Sequence, residues 1–458
     1  MSNISLLAII ASFCATSSLA FHAVGGPAPA CRRLGPSSLQ SSSSADENEI
    51  IVGETLQDQQ GKFRRLCADL EIATDLVVGE DSDGIRGLHL DASAEDVVVE
   101  GSQLLSVPLS SCLRDDEPPS WFQLDDEEVE EDSPNSYSAG SEWATRLAAS
   151  LIDRRLRREP TSDRLSTWIS MLPDAANLRA SLPIHWPSDI LQSANCQPLE
   201  LAVDSAYFGR ANAVMDLLEA LKGVGPSAID QYSDDELTRL CHDALDIVQT
   251  RTCRVSLGDD EEHVAQLRLL APAFDFLNHG SSANAGFALE TDADGKSVLV
   301  VRAVRSIAQG EEVFISYGDS STTPAWKCLL SYGFVPRLDI ADERNIVELV
   351  VDGVKANVGS DNVPFELAEA AAVALAEAEG RVLKETDEIF TPEVARRIAS
   401  RAAEEAGDMS LKEDVEISAS SDEDAALSIS LAKALRVSQR RVLESWSSSL
   451  FEFADANS

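Results

Sequence analysis

The sequence predicts an α+β protein: a β-rich unit, interrupted by a long helical insertion and followed by an all-α C-terminal domain. Three observations predict it. Short β-branched or apolar runs punctuated by glycine occupy residues 84–113 and return after Leu270. Between them, from about residue 140 to 254, apolar residues recur at helical spacing. Past Pro336 the chain becomes Ala/Glu-rich and amphipathic.

Taken in order, residues 1–20 form a signal-like segment, with the apolar stretch ISLLAIIASFCATSSLA over residues 4–20. Residues 21–50 form a transit-like, Ser/Pro/Arg-containing tract, and no acidic residue precedes Asp46. The pair resembles the bipartite presequence of algae with secondary plastids, which implies a plastid protein; a secretory signal is the alternative. Within GIRGLHLDASAEDVVVEGSQLLSVPLSSCL (84–113), VVV and LLSVP read as small strands. DDEPP and DDEEVEEDSPNS, within residues 114–139, read as an exposed loop.

In EWATRLAASLIDRRLRR, Trp143, Leu147, Leu151 and Ile152 share a helix face. STWISMLP, SLPIHWPSDILQS, AVMDLLEALKG and SDDELTRLCHDALDIVQTR continue the helical pattern, the last with Ser233 as a capping start. FALETDADGKSVLVVRAVRSI then holds two strands around Asp294-Gly295, a hairpin turn without the ligand spacing of a calcium loop. Three further helices are expected in the C-terminal domain, one of them starting at Thr391-Pro392.

Composition narrows the function. The 458 residues carry a formal net charge of −41, with 78 acidic against 37 basic residues, which repels a phosphate backbone and excludes nucleic acid as a partner. Such a field suits solubility and attracts basic protein segments. The eight cysteines include no CxxC pair, so neither a zinc module nor a disulfide framework is read from them. No GxGxxG after a strand, GxxxxGK[ST], GxSxG or HExxH occurs.

The stretch FDFLNHGSSANAGF, residues 274–287, sets Asp275, Asn278 and His279 among Phe274, Phe276 and Phe287. Polar groups so close to apolar ones need partners, and a bound ligand is one. The phenylalanines read mostly as core.

Four pieces recur in order: GIRGL (84–88), DFLNH (275–279), GEEVFISYG (310–318) and SYGFVP (331–336). With this spacing the chain resembles the SET-domain methyltransferases, within them the subgroup of the Rubisco large-subunit lysine methyltransferase. ISMLP followed by LPIHWPSDIL in the insertion is similar to that subgroup's Leu-Pro and Pro-x-x-Trp pattern. The resemblance covers residues 61–336 and reaches the C-terminal domain loosely.

It implies a SET fold with a knot-like core over residues 61–338 and a helical substrate-binding domain over 339–458. It implies S-adenosylmethionine as the cofactor, held by Arg86, Gly87, Leu88, Arg251, Asn278, His279, Tyr317 and Phe334. Thr250-Arg251 stands where the subgroup has Ser-Arg. Tyr317 is the implied catalytic residue, and Asp275, Tyr332 and Phe334 the walls of the substrate channel. No metal is implied.

The function expected is a protein-lysine N-methyltransferase acting on a protein substrate, with the Rubisco large subunit or a stromal aldolase as candidates. The mature chain is expected to be a monomer that neither binds nucleic acid nor spans a membrane. A histidine-directed methyltransferase of the same fold and a non-catalytic interaction scaffold are the alternatives.

Overall fold

The structure, a computed structural model, describes residues 55–81, 84–91, 97–122, 142–157, 163–257, 265–280, 282–318, 324–336, 346–359, 363–384, 387–411 and 423–458. The signal-like and transit-like segments, residues 1–50, lie outside the described residues.

Helix α1 (Leu56–Asp69) opens the described chain and buries Phe63 and Leu66. Small strands follow: β1 (Ala73–Thr74), β2 (Leu76–Glu80), β3 (Arg86–Leu90), β4 (Val97–Val98), β5 (Gln103–Pro108) and β6 (Leu113–Arg114). β2 and β3 are antiparallel, with Gly79 opposite Gly87. Of the stretch read as an exposed loop, residues 123–139 lie outside the described residues. Trp121 and Phe122, just before them, are buried, against the expectation for its start. The Trp121 indole N–H donates to Asp153 Oδ1 at 3.1 Å, which ties this end of the described segment to the helical insertion.

The insertion comprises α2 (Glu142–Leu156), α3 (Ser166–Met171), α4 (Ala175–Ser181), α5 (Ser188–Ser193), α6 (Gln197–Val224) and α7 (Asp234–Arg251). α7 starts where Ser233 predicted. Glu236 N–H donates to Ser233 Oγ while Ser233 N–H donates to Glu236 Oε2, a reciprocal cap for two otherwise orphaned amides. Leu147, Leu151 and Ile152 of α2, Trp168 of α3, and Leu245 and Val248 of α7 join the same buried cluster as Leu88, Leu105 and Val301 of the β unit. Insertion and β unit therefore share one core.

Two strands not anticipated from the sequence come next, β7 (Cys253–Leu257) and β8 (Ala265–Leu270), which with β6 form a sheet ordered β6-β8-β7. Arg254 and Ser256 alternate with Cys253, Val255 and Leu257, and Gln266 and Arg268 with Leu267 and Leu269, a period-2 pattern confined to runs of five and six residues. Then follow β9 (Asn278–His279), β10 (Ala285–Thr291), β11 (Ser297–Ala303), β12 (Ile307–Ala308) and β13 (Phe314–Ile315). β10 and β11 form the predicted hairpin, with Thr291 opposite Ser297. Its turn has Gly295 at φ 78° and Asp292 Oδ1 accepting from the Asp294 and Lys296 amides, an Asp side chain replacing a backbone acceptor. The hairpin extends β1-β5-β11-β10.

After α8 (Ala325–Tyr332) comes a hairpin, β14 (Val347–Val351) and β15 (Val354–Val358), which the reading of an all-helical C-terminal domain did not include. The expected helices then appear: α9 (Phe365–Ala378), α10 (Pro392–Leu411) and α11 (Glu423–Ala456). Val347, Leu349 and Val358 of the hairpin pack with Leu367, Ile398 and Leu443 of these helices. α11 also reaches the insertion and α8, where Ala432 and Leu435 share a buried cluster with Trp186 and Leu199 of the insertion and Leu329 of α8. Among the described residues no helix is long and apolar enough to cross a membrane.

Candidate active site

The opening stretch folds as a sharp turn. Ala273 has φ 68° and ψ −41°, near the strained γ conformation, and a one-turn 3-10 helix follows at Phe274–Phe276. Phe274 and Phe276 are buried, and their rings make edge contacts with Phe287 at 4.9 Å and Phe63 at 5.8 Å between centroids. They are core, as expected.

The three polar residues go separate ways. Asp275 turns inward: its side chain is 1% exposed, and Oδ2 accepts from the Trp168 indole at 3.2 Å and from Arg251 Nη1 at 3.4 Å. Arg251 Nη1 also donates to the Asp275 carbonyl at 2.5 Å. Burial raises the Asp275 pKa above the ordinary carboxylate value, with Arg251 and Trp168 opposing it. Asp275, expected to line a channel, is thus enclosed by the insertion, and protein donors reach its carboxylate without any ligand. Arg251 is turned to the same carboxylate and braces the 274–277 turn.

Asn278 and His279 form β9, which pairs in parallel with β13, Asn278 against Phe314 and His279 against Ile315. This register carries the chain on to Tyr317. The Tyr317 amide donates to His279 Nδ1 at 3.3 Å, which leaves the imidazole proton on Nε2. The Tyr317 hydroxyl donates to the Leu277 carbonyl at 2.5 Å. Its pKa is pushed up to about 12, mainly by burial, with Asp275 and Glu312 adding to the rise and Arg251 opposing it. At neutral pH Tyr317 is therefore a neutral phenol.

Tyr332 and Phe334 complete an aromatic cluster. Ring centroids are 4.9 Å apart for Tyr317–Tyr332, 6.1 Å for Tyr332–Phe334 and 5.8 Å for His279–Phe334. Gly333, between the two aromatics, has φ 75°, and a Cβ there would stand 2.5 Å from Ser181 Oγ of α4. Only glycine ends α8 tightly enough to bring Phe334 back against His279.

β3 forms the other side. The Val313 amide donates to the Leu88 carbonyl at 2.7 Å, and Asn278 Nδ2 donates to the Arg86 carbonyl at 2.9 Å. Leu88 is fully buried, while the Arg86 guanidinium lies 4.4 Å over the Phe276 ring and donates to the Met171 carbonyl. At Gly87 a Cβ would fall 2.2 Å from Glu312 Oε1 and 2.8 Å from Asn278 Nδ2.

All ten expected site residues are thus linked through one neighbourhood of β3, β9, β13 and the end of α8. A hollow of about 410 Å³ between α1 and β2, lined by Gln60, Phe63 and Cys67 among others, includes none of them. Among the described residues no group of three His, Cys, Asp or Glu could hold a metal ion.

Residues 91–318 match the SET domain family model. The chain carries a SET domain. The match encloses the insertion and ends just past Tyr317, so Arg86–Leu88 and Tyr332–Phe334 lie beyond its ends. Similar solved structures include the SET domain of LSMT with lysine and AdoHcy bound, 14% identical, covering 88% of this chain and 92% of that one at a TM-score of 0.49. Rubisco LSMT with sinefungin and monomethyllysine bound is 14% identical, covering 87% and 93% at a TM-score of 0.47. No curated protein matches.

Three residues of this neighbourhood were not singled out from the sequence. Trp168 reads there as one more apolar helix position. Asn284 is fully buried; its Oδ1 accepts from the Phe314 amide at 2.8 Å and its Nδ2 donates to the Glu312 carbonyl at 2.8 Å, splicing β13 to the 282–285 loop. Glu312 lies inside the quoted GEEVFISYG, but nothing local tells which glutamate faces Asn278.

Proposed function

We propose that this chain transfers a methyl group from S-adenosylmethionine to the ε-amine of a lysine on a protein substrate. The observation that carries this reading is the β9–β13 register, which gathers Asn278, His279 and Tyr317 within a SET domain.

The residues fit the cofactor. Gly87, lacking a Cβ, lets Asn278 and Glu312 pack directly on the β3 backbone, and among the described residues no hydrogen bond reaches Asn278 Oδ1, an acceptor for an ammonium donor. Arg86, Gly87, Leu88, Asn278, His279, Tyr317 and Phe334 are the residues proposed to hold it, with Arg251 bracing the turn behind them. When bound, S-adenosylmethionine supplies an electrophilic methyl on a positively charged sulfur.

The chain's own residues prepare the acceptor. A lysine ammonium is no nucleophile, and its ordinary pKa of about 10.4 leaves little free amine near neutrality. A channel walled by Tyr317, Tyr332 and Phe334 desolvates the ammonium and lowers that pKa, releasing the proton to solvent. The Tyr317 oxygen, neutral and tethered to the Leu277 carbonyl, still accepts a hydrogen bond and orients the amine. Tyr332 and Phe334 limit the room around the nitrogen.

The helical region after β15 is proposed to grip the protein substrate, and a stromal enzyme such as the Rubisco large subunit or aldolase is the proposed class. Residues 1–50 are proposed to direct the chain to a plastid; a fluorescent fusion of residues 1–60 found in the secretory pathway instead would overturn that. The reaction is tested with methyl-labelled S-adenosylmethionine and a plastid protein extract, with the label mapped by mass spectrometry. Label on a lysine is expected. Label on a histidine changes the acceptor, and a chain that neither binds the cofactor nor transfers label overturns the reading.

A further inference from the structure

We propose that Glu312 is the residue that makes the Asn278 pocket selective for a cationic amino group, by locking the Asn278 amide and placing a carboxylate beside it. The inference rests on the S-adenosylmethionine reading above and names what recognises that cofactor's amino-acid end.

Three observations carry it. Asn278 Nδ2 stands between two acceptors, the Arg86 carbonyl at 2.9 Å and Glu312 Oε1 at 2.8 Å, so both amide hydrogens are used. Turning the amide over would set its carbonyl oxygen against both acceptors, losing two hydrogen bonds and gaining two repulsions. Oδ1 is thereby held on the side that no hydrogen bond from the described residues reaches.

Second, the pair is packed against backbone with no slack. The position of a Cβ on Gly87 is already taken by Glu312 Oε1, at 2.2 Å, and by Asn278 Nδ2, at 2.8 Å. The carboxylate belongs to the β3 wall.

Third, the neighbouring glutamate is occupied differently. Glu311 accepts from the Ala308 amide at 2.9 Å, from Arg305 at 2.7 Å and from Asn284 at 3.2 Å, closing the turn after β12. Adjacent residues of extended chain point to opposite sides, so the turn consumes one carboxylate while the other faces Asn278. An amide oxygen with a carboxylate on the same amide accepts from a cation far better than from a neutral donor.

The test is calorimetric titration of the full chain, its E312Q and its E312A forms, with S-adenosylhomocysteine and with 5′-methylthioadenosine, which shares the nucleoside thioether and lacks the amino-acid end. E312A is expected to weaken S-adenosylhomocysteine by about tenfold or more, the scale of one charge-assisted hydrogen bond, and to leave methylthioadenosine within about twofold. E312Q, which keeps an acceptor and loses the charge, is expected between E312A and the parent. Unchanged S-adenosylhomocysteine affinity in E312A overturns the proposal, and so does equal weakening of both ligands, which marks packing damage. A parent chain that binds neither ligand removes the cofactor reading itself, and this inference with it.

Discussion

Replacing Tyr317 with phenylalanine removes one oxygen and keeps the ring that packs against Tyr332 at 4.9 Å and His279 at 5.6 Å. Among the described residues that oxygen has one hydrogen-bond partner to lose, the Leu277 carbonyl at 2.5 Å. A hydrogen bond of this kind contributes about 0.5–1.5 kcal/mol net, and a carbonyl left unpaired at a part-buried site raises the cost to about 3 kcal/mol at most. The fold, whose core extends over the whole SET domain, should survive. Losing a preorganised group that acts on the reacting centre costs far more in rate, roughly 10²- to 10³-fold in kcat.

Stability and rate therefore separate in Tyr317→Phe. The assay is single-turnover methyl transfer at saturating cofactor, with thermal unfolding of the same preparation. The expected result is a folded protein that still binds S-adenosylhomocysteine, the ring being kept, with at least about a hundredfold slower transfer. Transfer within about tenfold of the parent, roughly 1.4 kcal/mol in barrier, would refute the placement of Tyr317 at the reaction centre.

Gly87→Ala puts a methyl into the space of Glu312 Oε1 and Asn278 Nδ2, and is expected to cost about 1–3 kcal/mol of stability by overpacking and to weaken S-adenosylhomocysteine binding by calorimetry. Asp275 has a folded pKa raised by burial, so its contribution to stability is complete below its unfolded value and is lost as pH rises through the folded one. Asp275→Asn has no such loss: chemical denaturation at pH 4 and pH 8 should find the stability gap moving in favour of the variant at the higher pH, and a gap moving the other way would mean that the folded state favours the charged form. Ser233→Ala breaks the reciprocal cap of α7 and should cost about 1 kcal/mol, within the range for lost N-caps, in denaturant midpoint with an unchanged slope.

Local signals were legible where one segment satisfies its own chemistry. Ser233 caps α7 through a residue three positions on, and Asp294-Gly295 turns the β10–β11 hairpin through Asp292; both need no distant partner. Strands β7 and β8 do alternate, Arg254 and Arg268 at polar positions, but over runs of five and six residues that directly follow a long helical pattern, and the 3-10 turn after Ala273 was hidden because a positive φ at alanine has no sequence signature. Trp121-Phe122 beside an acidic run was overshadowed by composition, although two adjacent aromatics are themselves a burial signal.

By itself, then, the sequence determined the alternation of β unit, insertion and helical tail, the SET-domain motifs, and the residue types at the site, because these are periodicities and short spacings carried along the chain. Only the tertiary structure decided that Asp275 turns inward to Trp168 and Arg251, that Asn278 is pinned by Glu312, and that Gly333 returns Phe334 to His279 by packing on Ser181. Those contacts join residues up to 152 positions apart, counting from Ser181 to Gly333, and the direction of a buried polar side chain follows from whichever donor or acceptor the fold delivers to it.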